Sequence, residues 1–213
     1  LISSQESLHI YNGAFGEKSF KATHSLNKKT SHLSFGVDEE LPLKKIEEYP
    51  FISLCQNETS NGTQITNASL TALRQKCMHS FICVDATSSL GGQYLDLSTA
   101  DIWYSSVQKC FGLPSGLAIL LISPRVQEKI KADRIQKHYN DLYVILTNRE
   151  KWQTTHTPNI LDIHSLQYTQ AKNDDILTID QQLRNNKKLI SNKVGERFYS
   201  KNRKTQSLTT LCI

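Results

Sequence analysis

Three short apolar runs constrain this chain most, because each has the length of a strand buried on both faces and each adjoins a loop of turn-forming residues. FISLCQ leads into NETSNGT, SFICVD leads into ATSSLGG, and LAILLIS follows CFGLPSG, where Gly112, Pro114 and Gly116 break any ladder. Unbroken apolarity over such lengths is the pattern of a strand covered on both sides. Leu70, Leu73 and Cys77 recur at helical spacing, so a helix over 69–79 returns the chain to the strand that ends in Asp85. Strand, helix and strand repeating in this order predict an α/β fold, a mostly parallel sheet flanked by helices on both faces.

Other segments fill in that plan. Ser7 to Tyr11 alternates as a strand, and Asn12-Gly13 turns it into a helix from Phe15 to about Leu26. Ser31 to Phe35 reads as a strand, and the charged stretch from Asp38 to Glu48 as a short solvated helix closed by Pro50. Helices are expected from Arg125 to about Lys137 and from Tyr139 to Glu150. From Ile179 onward, Leu183, Ile190, Val194 and Phe198 share one helical face, opposite a solvated basic face of Lys187, Lys188, Lys193 and Arg197.

At 213 residues and 38% hydrophobic content, the chain can bury one substantial core, so one main domain is expected. The net charge of +5 is mild and not interleaved with aromatics, which argues against a nucleic-acid partner. No apolar run approaches bilayer-spanning length and no leader-like segment opens the chain, so no membrane partner is expected. The five cysteines show no CxxC spacing and are odd in number, which fits a reducing, cytoplasmic setting. Three N-x-[ST] sequons, at Asn57, Asn61 and Asn67, lie in an Asn-rich stretch beside free thiols and read as coincidence. There is no GxGxxG, no GxxxxGK[ST] and no GxSxG, and no His/Cys spacing suited to zinc, so no metal site is expected.

The chemistry is placed at ADIWYSSVQKCFGLPSG. Its first half reads as a strand, and Lys109 follows at the carboxyl end, where open α/β sheets bind ligands. Held in a loop between two core strands, its amine would sit in surroundings that disfavour the charged form, as a Schiff-base lysine requires. A lysine beside a turn is more often a solvated surface charge, so its company matters. Asp85 ends another buried strand, where a carboxylate calls for a positive partner unless it merely caps the following turn.

VDATSSLGG followed by SSVQKCFGLPSGLA resembles the core of the class V pyridoxal-phosphate aminotransferases, and NGAFGEK, NETSNGT and THTPN fall in the same order as in that family. The resemblance implies the large domain of a fold-type-I transferase over 1–175. It also implies a linking helix and the first strand of a small α+β domain, SLTTLCI, over 176–213. Its cofactor would be pyridoxal 5'-phosphate and its substrates amino acids and 2-oxo acids. Lys109 would carry the cofactor and move the proton, while Asp85 would hold the ring nitrogen. Phe15 would stack on the ring; from the residues alone it equally staples a helix start into the core. Thr59 would hydrogen-bond the cofactor near its ring oxygen or Asp85, and Gln108 would contact the phosphate; a turn threonine is the alternative for Thr59. Thr157, otherwise part of a Pro-terminated interhelix loop, would complete the site of a neighbouring subunit in a homodimer. The family's Gly/Ser-rich phosphate loop and its substrate-binding arginine have no counterpart here, so the chain looks like an internal piece expected to bind cofactor weakly or not at all alone. Within the family the pattern leans towards phosphoserine aminotransferases, with alanine-glyoxylate or serine-pyruvate enzymes and a non-catalytic scaffold as rivals.

Overall fold

The computed structural model describes residues 6–26, 29–134, 138 and 140–213. Among the described residues, eight strands and six α-helices follow in chain order: β1 Ser7–Tyr11, α1 Ala14–His24, β2 Thr30–Ser34, β3 Phe51–Cys55, β4 Asn57–Glu58, β5 Thr63–Gln64, α2 Asn67–Lys76, β6 Phe81–Asp85, β7 Ile102–Ser106, β8 Ala118–Ile122, α3 Pro124–Asp133, α4 Leu142–Glu150, α5 Ile160–Lys172 and α6 Ile176–Val194. Six strands form one sheet in the order β2-β1-β3-β6-β7-β8. All its pairs are parallel except β7 with β8, so the expected α/β architecture stands.

Register assigns each side chain to a face. Leu8, Ile10, Ile52, Leu54, Ile82, Val84 and Trp103 point to one side and join Leu70 and Leu73 of α2 in the main apolar cluster. The other side has two halves. Near the strand starts, Phe51 and Ile102 pack with Val126, Ile130 and Leu146 of α3 and α4. Towards the strand ends it turns polar, and Cys55, Asp85 and Tyr104 stand in one row across β3, β6 and β7. A parallel sheet can leave this end open because its loops, not its ladder, supply the groups there.

Several elements differ from expectation. LAILLIS is not buried on both faces: β8 is an antiparallel edge strand with Leu120 and Leu121 exposed. It is reached by a hairpin from β7, so it lies outermost, and α3 and α4 cover only its Ile122 end. Asp38 to Glu48 forms only a 3-10 turn at Leu43–Lys45, since Pro42 has no N–H to give, and Leu41 and Ile46 are buried in the main cluster rather than solvated. Helix α3 stops at Asp133, with Arg134 left-handed beyond it; Lys137 and Tyr139, named above as helix ends, lie outside the described residues.

Lys187 leaves the solvated face expected of it. Its ammonium donates to the carbonyls of Gln206 (2.7 Å) and Ser207 (2.8 Å), and burial pushes its pKa down to about 8. SLTTLCI forms no strand. It is a coil pinned to the β4–β5 hairpin: Gln206 bridges Thr63, Ser207 N–H donates to the Gly62 carbonyl (2.8 Å), and Leu208 N–H donates to the Gln64 side chain (3.1 Å). All three sequon asparagines are engaged, Asn57 with Thr210, Asn61 with the Asn12 carbonyl and Asn67 with the Tyr94 carbonyl, and the first two are buried.

Candidate active site

At the end of β6 the Asp85 carboxylate accepts from Thr87 N–H (2.9 Å), and no cation pairs with it among the described residues. The Tyr104 hydroxyl faces it across one register step. Burial, then the Asp85 charge, raise the pKa of Tyr104, so it stays a protonated donor. Cys55 and Cys83 flank the carboxylate on the same face; burial pushes the Cys83 thiol up to about 12, with the Asp85 charge adding to it, and both thiols stay protonated. A carboxylate left without a cation at a strand end fits the protonated nitrogen of an aromatic ring. Phe15, in the first turn of α1, is half exposed and lines the same small cavity as Asp85 and Tyr104.

Lys109 sits in the hairpin loop between β7 and β8, where its carbonyl accepts from Gly112 N–H (3.0 Å). Val107 and Phe111 are buried and anchor the loop on either side of the lysine. Two glycines make room for it. A Cβ on Gly91, at φ +83°, would lie 2.9 Å from the Phe111 ring, and one on Gly92 would lie 2.5 Å from Cys110 Sγ. The loop after Asp85 and the loop carrying Lys109 therefore pack against each other at ranges only glycine allows. Cys110 Sγ adds a hydrogen bond to the Ser88 carbonyl (3.4 Å).

Thr59 joins this pair of loops, its hydroxyl 2.6 Å from Ser88 Oγ rather than on Asp85. Lys109, Thr59, Ser88, Gly91, Gly92 and Thr209 line one open cavity of about 670 Å³. Asp85 and Phe15 line a different one of only about 10 Å³, so the two loops are docked together while Lys109 and Asp85 border these two separate cavities. Lys109 is exposed, not secluded as expected, because β8 is an edge strand and its loop projects beyond the sheet. Gln108 is exposed too, its carbonyl oxygen accepting from the Ser106 hydroxyl. Thr157 lies apart from these residues, exposed in the connection between α4 and α5.

Residues 32–211 match the model of the aminotransferase class-V family. This chain belongs to that family. The class-V chain is 30% identical over 165 residues to the phosphoserine aminotransferase of Corynebacterium glutamicum, covering 63% of itself and 43% of that protein. It superposes on a phosphoserine aminotransferase from Cytophaga hutchinsonii with a TM-score of 0.86 and 27% identity, over 97% of this chain and 61% of that one. An alanine-glyoxylate aminotransferase from Nostoc shares the fold at a TM-score of 0.85 and 19% identity, over 100% of this chain and 61% of that one. The class-V chain thus spans about half the length of the relatives it matches.

Sequence reasoning missed three residues that line or support this candidate site. Ser88 and Glu58 lie inside the motifs that carry the resemblance; both side chains are buried, Ser88 against the Thr59 hydroxyl and Glu58 against the first turn of α1. Tyr104 was legible only as a strand residue, because its place beside Asp85 depends on the register of β6 with β7.

Proposed function

We propose that this chain supplies most of the cofactor-binding large domain of a pyridoxal-phosphate-dependent aminotransferase that converts glutamate and 3-phosphohydroxypyruvate into 2-oxoglutarate and phosphoserine, a step of serine biosynthesis. The observation that carries the reading is the docking of the Lys109 loop on the Asp85 loop through Gly91 and Gly92. Bound pyridoxal phosphate supplies an electron-withdrawing ring that takes up the charge left when a bond to the substrate α-carbon breaks. Asp85, with one oxygen held by Thr87 N–H, would hold the ring nitrogen in its protonated form. Phe15 would pack on the ring, Thr59 would offer its hydroxyl from the loop beside Ser88, and Gln108 would offer its amide N–H to the phosphate. Lys109 Nζ would hold the cofactor, and its amine would serve as general base towards the proton of the substrate α-carbon.

Thr157, by the family resemblance, would reach the neighbouring subunit's site. Its exposure, beside a strongly exposed Trp152, Ile160 and Leu161, supports a homodimer in which that loop meets a second copy. All five cysteines are free thiols, which supports the cytoplasmic reading. No helix among the described residues is long and apolar enough to cross a membrane.

The test uses the full-length enzyme. Borohydride reduction after incubation with pyridoxal phosphate should fix the label on Lys109, and glutamate with 3-phosphohydroxypyruvate should be turned over faster than with glyoxylate. A colourless, unlabelled protein would return it to a non-catalytic scaffold. Equal or faster turnover of glyoxylate would move it to the alanine-glyoxylate group, whose fold it shares equally well.

A further inference from the structure

Helix α1 begins at a glycine that has no side chain with which to cap it, yet its first N–H groups are not left open. Ala14 N–H donates to Ser60 Oγ (2.9 Å), Phe15 N–H to Glu58 Oε1 (3.3 Å) and Gly16 N–H to Glu58 Oε2 (3.1 Å). The same carboxylate accepts from Ser60 N–H (3.1 Å) and from the Ser60 hydroxyl (2.6 Å). Glu58 is 1% exposed, so no water substitutes for these contacts. Gly13 closes over it: a Cβ there would stand 2.4 Å from Glu58 Cγ and 2.6 Å from Ser60 Oγ.

Thr59 lies between the two gripping residues, and Phe15 lies on the gripped turn. We infer that Glu58 is a positioning residue of the cofactor site: by holding the first turn of α1 and Ser60 on one carboxylate, it fixes where the Phe15 ring and the Thr59 hydroxyl stand relative to each other. A plain helix cap would need only the N–H groups of α1. This carboxylate also binds the far side of the Thr59 loop, so the two candidate cofactor contacts share one anchor. Glutamine in its place would keep one acceptor oxygen but lose the charge and turn its NH2 against an N–H donor, which weakens the grip without changing its size. The inference rests on the proposed function, and the experiment separates the two.

In the full-length enzyme, E58Q and S60A are compared with wild type by cofactor titration, by visible circular dichroism of the bound cofactor and by thermal unfolding of the apo-protein. E58Q should weaken cofactor binding by about tenfold or more, the effect of losing charge-assisted hydrogen bonds. It should also shrink the visible dichroism per bound cofactor, which reports ring placement and not stability. S60A keeps the carboxylate and should move both readouts the same way by less. Unchanged affinity and dichroism in an E58Q protein that melts earlier would overturn the inference and leave Glu58 a structural cap. Should E58Q not fold, S60A decides, and wild-type dichroism there overturns it. A wild-type enzyme that takes no label on Lys109 fails the functional reading instead.

Discussion

His9 shows how this fold handles a titratable residue near its polar end. It is 3% exposed on β1, its ring 5.8 Å from that of Phe20, and it lines the Asp85 cavity. Burial pushes its pKa from 6.5 down to about 4, so the folded protein holds it neutral. Between those values the unfolded chain binds a proton that the folded one refuses, and stability therefore falls as pH drops from about 6.5 to about 4. Above that window His9 contributes no slope. Thermal unfolding across the window should show a steeper loss in wild type than in H9Q, and parallel curves would mean that His9 is not protected. At this scale the candidate residues were legible in the sequence because a charged side chain follows a buried apolar strand and adjoins a turn. Their supports were not: a glutamate in NETSNGT looks solvated until the first turn of α1 is known to lie on it.

Elements were legible where apolarity and burial coincide, as in β3 and β6. They misled where the same composition serves an edge, as in β8, and where Pro42 breaks a charged stretch that otherwise counts as helical. What locks the elements together lies at the end of the sheet opposite the candidate site. Asp101, just before β7, accepts from Ile82 N–H (2.9 Å) of β6, from Arg125 Nη2 (2.8 Å) and Nε (3.1 Å) of α3, and from Arg74 Nη2 of α2. Burial alone would raise its pKa, but the Arg125 and Ile82 hydrogen bonds and the Arg74 charge outweigh that and hold it below the usual carboxylate value. Both arginines also donate to the Ser80 carbonyl, so one carboxylate organises two helices and two strands. Removing it leaves two guanidinium groups facing each other with a strand N–H unpaired. D101A should cost about 3 kcal/mol, the lower end for breaking a buried ion pair because Arg125 is partly exposed. Urea unfolding measures this, and a loss no larger than that of a surface ion pair would show that the cluster is not coupled.

On the scale of the molecule, the polar half of one sheet face carries Asp85, and the hairpin beyond β7 that carries Lys109 packs on the loop following Asp85. The chain leaves a second surface unaccounted for. Trp152 is 96% exposed in a left-handed conformation, and Ile160 and Leu161 are 71% and 73% exposed at the start of α5. Isolated apolar residues on a surface need no explanation, but three of this size flank one short connection, which makes that connection a candidate interface. Because Thr157 lies between them, the candidate interface and the proposed in-trans contact are one feature. A symmetric dimer would bury the same residues twice, and a charge placed among them would be desolvated twice. L161E should therefore shift the full-length protein from dimer to monomer in sedimentation velocity. Transaminase activity should fall with it and recover in part at high protein concentration, where mass action restores the pair. A variant that remains dimeric, or a monomer that keeps full activity, would detach Thr157 from the neighbouring site and leave each subunit to complete its own.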